Sequence, residues 1–119
     1  RFLGGGKSIR IHFFWHYLAN KFLTLLTNIF TNLNMSDMET CYKVFKRDQI
    51  NKIVLKENSF GIEPEITIKL SKISGIVFYE VPISYYGRGY HEGKKIKMSD
   101  AFIAVYCIFK YYFFTRKIK

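Results

Sequence analysis

The sequence predicts an α/β domain in the order helix, strand, helix, strand, helix. Three observations predict it. Residues 9–30 are largely apolar but carry a polar side chain every three to four positions, which lays those side chains along one helical stripe. Residues 40–45 and 76–86 are rich in Val, Ile, Thr, Tyr and Phe, types that suit a pleated surface. Pro64 and the pair Ser99–Asp100 mark the starts of two further helices.

The chain opens on Arg-Phe-Leu-Gly-Gly-Gly, with no initiator Met, no signal-type apolar segment and no helix cap. A triple glycine suits a loop between elements, so the sequence is expected to be cut from something longer. In the first helix the stripe is His12, His16, Asn20, Thr24 and then Thr27 and Asn28, and the remaining surface carries Phe13, Phe14, Trp15, Leu18, Phe22, Leu25, Leu26 and Ile29. A spanning helix wants about 20 apolar residues with few charges, and Lys21 interrupts this one. The expectation is a helix buried on one side or lying in a membrane interface.

Residues 31–36 form a polar turn, 40–45 a short strand and 46–55 a weakly helical stretch. The next helix runs from Pro64 to about Ile73, and Ser74–Gly75 stops it. Pro82 gives the strand at 76–86 an edge position or a bulge. Residues 87–97 are a glycine- and lysine-rich loop before the last helix, which ends in the basic tail Arg116 to Lys119. No internal repeat is visible, and residues 1–119 make one domain.

Composition narrows the function only coarsely. With 49% hydrophobic residues the chain can bury a core. Nineteen Lys and Arg against nine Asp and Glu give +10, which points to anionic partners: nucleic acid, anionic lipid or phosphorylated substrates. The 12 Phe and 9 Tyr suit a nucleic-acid surface and a membrane interface about equally. Cys41 and Cys107 are far apart and lack metal-type spacing, so a zinc site is not expected and two reduced thiols are.

Three segments are denser in polar residues than a plain core requires. Residues 36–43 place Asp37 and Glu39 just before a predicted strand, where carboxylates can bind a metal or act as a base. The alternative is a turn in which Asp37 bonds nearby backbone N–H groups. Glu63 and Glu65 flank Pro64, a place where acids commonly complement the helix dipole. In residues 85–95, Arg88, Lys94 and Lys95 sit among three glycines. Such a loop can bend around a phosphate, or it can be merely solvated. No GxxxxGK[ST] occurs, so the nucleotide-hydrolase phosphate loop is excluded.

In this order, Asp-Met-Glu-Thr-Cys-Tyr-Lys-Val-Phe (37–45), Phe-Gly-Ile-Glu-Pro-Glu-Ile-Thr (60–67) and Glu-Val-Pro-Ile-Ser-Tyr-Tyr-Gly-Arg followed by Glu-Gly-Lys-Lys-Ile (80–96) resemble family 2 glycosyltransferases. The resemblance leans toward the bacterial branch similar to dolichyl-phosphate mannosyltransferases. The opening six residues and Phe-Trp-His-Tyr-Leu-Ala-Asn-Lys-Phe-Leu-Thr (14–24) fit the same group, so the likeness covers nearly the whole chain.

The resemblance implies the C-terminal, acceptor-side half of a GT-A fold. It implies a nucleotide-sugar donor, a polyprenyl-phosphate acceptor and inversion at the sugar carbon. The metal-binding DxD motif of such enzymes lies in the N-terminal half. None occurs here, so the divalent ion (Mg or Mn) is expected to be held upstream, and this part alone is expected to be inactive. By the same resemblance Asp37 and Glu39 are candidate catalytic carboxylates. Arg1, Arg10 and His16 approach the acceptor phosphate, His16 standing where relatives carry serine. Arg88, Lys94 and Lys95 close over the donor diphosphate, and Glu63 and Glu65 line the cleft.

The expected location is the cytoplasmic face of a membrane, peripherally bound, with no nucleic-acid partner. Two alternatives stand beside this reading. One is a non-enzymatic basic module for membrane or nucleic acid. The other is a glycosyltransferase acting on a sugar hydroxyl, with Asp37 or Glu39 as base.

Overall fold

A computed structural model of the chain describes residues 13–86, 88–93 and 96–118. Their element order is α1 (Phe14–Thr31), α2 (Arg47–Ile50), α3 (Ile62–Ser71), a 3₁₀ turn (Tyr90–Glu92) and α4 (Met98–Phe114). The predicted helices are therefore present, with ends shifted by a few residues. Only one turn of the weakly helical stretch at 46–55 forms.

The predicted α/β architecture is wrong. No sheet forms among the described residues, and their one β-type contact is a parallel bridge between Ile73 and Ile118. The C-terminal half of a GT-A fold falls with it, because that half needs strands paired in a sheet. Residues 40–45 and 76–86, the two predicted strands, lie outside any helix or ladder. Their composition is strand-like, but a strand exists only where a neighbour takes up its N–H and C=O groups. Here the inner side chains do the anchoring instead. Ile76, Phe78 and Phe45 pack against the helices, while Val44, Val77 and Tyr79 stay exposed.

The core has two parts that share α3. In the first, Leu23 of α1, Ile68 of α3 and Ala104, Cys107, Ile108 and Tyr111 of α4 close around Met38. In the second, Ile66, Leu70 and Ile73 meet Ile53, with Ile118 packed beside them. Every residue from Pro64 to Leu70 is buried, so α3 has no solvent face. Each fully buried aliphatic side chain, such as Ile68 or Ile108, stabilises by about 1.5–3 kcal/mol. The remaining cost is polar: Glu65 and Lys69, one helical turn apart, must be buried as a pair.

α1 is amphipathic in the opposite sense to a soluble surface helix. Its buried residues are Asn20, Leu23, Thr24 and Thr27. Its exposed side carries Trp15, Leu18, Phe22, Leu25 and Ile29. Asn32 closes the helix in the left-handed conformation, φ 56°, which asparagine adopts more readily than most residues. The chain then folds back so that residues 35–40 lie along the inward polar stripe.

Candidate functional site

The inward stripe of α1 builds the site from its floor upward. Asn28 exchanges two hydrogen bonds with the backbone of Met35, Nδ2 donating to O at 2.9 Å and Oδ1 accepting from N at 3.1 Å. Thr24 Oγ1 accepts the Met38 N–H at 3.1 Å. The Met38 side chain, 0% exposed, is the apolar pin beneath the turn. Lys21 Nζ donates to the Ser36 carbonyl at 3.1 Å. Asn20 Nδ2 then donates to Asp37 Oδ1 at 2.9 Å, and Thr40 Oγ1 donates to Asp37 Oδ2 at 2.6 Å. The Asp37 carboxylate is thus held from both sides, by α1 through Asn20 and by its own turn through Thr40.

Two further carboxylates converge on this turn from distant parts of the chain. Glu80 accepts the Ser36 N–H at 2.8 and 3.0 Å and the Asp37 N–H at 3.3 Å. Lys43 Nζ donates to the carbonyls of Met38 at 2.7 Å and Thr40 at 2.8 Å. The same ammonium is paired with Glu63 on the first turn of α3. One lysine therefore ties the turn to α3, and one glutamate ties it to the segment after Gly75.

A second polar cluster supports this frame from the side. Glu65, 0% exposed, accepts the backbone N–H groups of Lys56 and Glu57 and the Lys69 ammonium at 2.5 Å. Burial pushes its carboxyl up, but the Lys69 bond and the two backbone donors outweigh burial and hold it below the ordinary carboxylate value. Glu57 accepts from Lys110 Nζ at 2.8 Å and from the Tyr111 hydroxyl at 2.6 Å. Those two bonds lower its pKa, the Lys110 bond more than the Tyr111 bond. Tyr111 is correspondingly pushed up, first by burial and then by its bond to Glu57. Lys69 also sits over the Tyr111 ring at 4.5 Å, so α3, α4 and the loop between α2 and α3 are locked together.

The residues singled out from sequence are only partly brought together. Asp37, Glu39 and Glu63 come together: Asp37 and Glu39 share the turn, and Lys43 brings Glu63 to it. His16 is half-buried on α1 one turn before Asn20, its ring 5.7 Å from that of Phe13. Glu65 belongs to the supporting cluster. Arg88 is exposed, beside a short loop closed by the Gly89 N–H on Glu92 at 2.6 Å, and it takes no part in the bonds that gather the turn. Arg1, Arg10, Lys94 and Lys95 lie outside the described residues.

Asn20, Lys43 and Glu80 were not singled out, yet they do most of the gathering. Each had a signal. Asn20 stood in the polar stripe of an otherwise apolar helix, and Lys43 and Glu80 stood inside the quoted motifs. What the sequence lacked was the fold-back at Asn32 that turns the stripe into a floor.

The carboxylates gathered at the turn are already engaged by protein donors. The oxygens of Asp37 are engaged by Asn20 and Thr40, those of Glu80 by backbone N–H groups, and Glu63 by Lys43. Among the described residues no three His, Cys, Asp or Glu side chains gather as a metal site would require. No helix among the described residues is long and apolar enough to cross a membrane. Compared with known protein families, curated proteins and solved structures, the chain matches none.

Proposed function

We propose that this chain is the acceptor-side part of a nucleotide-sugar-dependent glycosyltransferase that works at a membrane surface on a polyprenyl phosphate. One observation carries the reading. The four short motifs that resemble family 2 glycosyltransferases, far apart in sequence, are bonded to one another at a single turn. Asn20 meets Asp37, Lys43 meets Glu63, and Glu80 meets the backbone of Ser36 and Asp37. The proposal concerns chemistry and leaves the architecture as the all-helical arrangement described above.

A phosphate acceptor is already a nucleophile, so strong base catalysis is not demanded of Asp37. The difficulty is to bring an anionic acceptor to a diphosphate leaving group and to hold both in line. In this proposal the fixed Asp37 turn positions the acceptor end, and Arg88 with its basic loop offsets the charge of the diphosphate. The outward apolar stripe of α1 supports the lipid part, since a polyprenyl chain needs apolar surface and Trp15, Phe22 and Leu25 offer it.

The test is transfer of labelled sugar from a nucleotide sugar to a short polyprenyl phosphate by the full-length protein. Asp37→Asn turns one of the two acceptor oxygens into a donor, so that either Asn20 or Thr40 loses its acceptor, and should lower kcat about a hundredfold. Glu80→Gln, which keeps one acceptor oxygen, should lower it less. Unchanged kcat in both variants would remove this turn from the mechanism.

A further inference from the structure

The C-terminal tail and the segment before α3 line one groove, separate from the Asp37 turn. The tail is pinned: the Ser74 N–H donates to the Ile118 carbonyl and the Ile118 N–H to the Lys72 carbonyl, both at 2.9 Å. Ile118 also packs onto the cluster of Ile53, Ile66, Leu70 and Ile73. This return places Arg116 and Lys117 across an open groove of about 310 Å³ from Lys52 and Lys56, which lie some sixty residues earlier in the chain. Lys69 stands at the wall, already committed to Glu65 at 2.5 Å and the Val54 carbonyl at 2.6 Å. The other four cations form no ion pair among the described residues, and no acidic side chain lines the groove.

Four like charges converging on one depression repel each other unless an anion joins them. A planar guanidinium with flanking ammonium groups matches the oxygens of a phosphate group. Phe114 lines the groove, 85% exposed, and Phe113 beside it is 67% exposed. An aromatic rim next to cations is the arrangement that membrane interfaces favour. We infer that the groove between residues 52–56 and the tail 114–118 binds a phosphate group, carried by an anionic lipid headgroup or by a free polyphosphate. The inference needs no glycosyl transfer, and its test reads binding, so it fails or stands apart from the proposed function.

The test compares two variants of equal charge change in the full chain. Lys52→Ala/Arg116→Ala/Lys117→Ala removes three of the groove's four unpaired cations, while Lys46→Ala/Arg47→Ala/Lys97→Ala removes two lysines and one arginine elsewhere. Binding is measured to phosphatidylcholine vesicles with and without phosphatidic acid, and to inorganic pyrophosphate by calorimetry. At about 1 kcal/mol per cation, the groove variant should bind phosphatidic-acid vesicles about a hundredfold more weakly. The control variant should lose far less, and salt should weaken the wild type's binding. Saturable pyrophosphate binding that is lost in the groove variant identifies the free anion as a ligand. Binding to vesicles alone identifies the headgroup. Equal losses in the two variants, or no binding in either arm, overturn the site. So does tight binding to a DNA duplex, lost in the groove variant, when vesicles and pyrophosphate fail.

Discussion

Gly61 shows how little room the helix junctions leave. Its φ of −76° is open to any residue, so the demand for glycine there is spatial and not conformational. A Cβ at this position would lie 2.6 Å from Cys107 Sγ and 3.2 Å from Glu57 Cγ. Cys107 is 1% exposed and cannot swing away. Gly61→Ala should therefore cost about 1–3 kcal/mol in urea denaturation. In a double-mutant cycle with Cys107→Ala, part of that cost should be recovered, because the second change removes the clashing sulfur. Strict additivity would show that the strain is carried by Glu57 instead. This constraint was not legible from sequence, where Gly61 was only part of a motif.

At the scale of elements, α1 sets up a contrast between its two sides. Its inward threonine, Thr24, accepts the Met38 N–H inside the core. Thr24→Val leaves that N–H buried without an acceptor and should cost about 1–3 kcal/mol. Its outward residues Phe22 and Leu25, 56% and 58% exposed, touch little. Phe22→Asn with Leu25→Asn should change stability by no more than about 0.5 kcal/mol per site. Trp15, the only tryptophan and 73% exposed on the same side, reports what this side meets. Its emission should shift to the blue on adding phosphatidylcholine vesicles in the wild type and stay unshifted in the double variant. No shift in the wild type would take lipid away from this face. The helix itself was legible because three- to four-residue spacing survives in any surroundings. Which side faces in was not, since a polar stripe normally faces water and here it faces the fold-back at residues 35–40.

For the whole molecule the acid limb of stability follows from the carboxylates that knit α3 and α4. Glu57 and Glu65 both have folded pKa values below the ordinary 4.5. Their contribution is complete above the unfolded value and is lost as pH falls through the folded one. Tyr111 and Lys110 are shifted the other way, from ordinary values of 10.0 and 10.5, so their contribution is lost only as pH rises well into the alkaline range. Urea midpoints should thus be level across neutral pH and fall steadily below about pH 4.5. Glu65→Gln, which strands the Lys69 ammonium in the interior, should cost about 3–5 kcal/mol at pH 7 and flatten that acid limb. An acid limb as steep as the wild type's would place the titrating groups elsewhere.

The sequence by itself determined where the helices lie, because helical spacing, Pro64 and the polar turns act over a few residues. It also marked residues 36–43, 60–65 and 85–95 as denser in polar side chains than a plain core requires. The tertiary structure alone decided that residues 40–45 and 76–86 are not strands. A strand is a property of two segments and not of one, and these segments are held through Lys43, Phe45, Ile76, Phe78 and Glu80 instead of a ladder. It decided too that the basic tail is half of a groove, since the bridge between Ile73 and Ile118 joins residues that no local pattern connects. Local chemistry is written along the chain, but pairing, facing and enclosure depend on which distant segment arrives opposite.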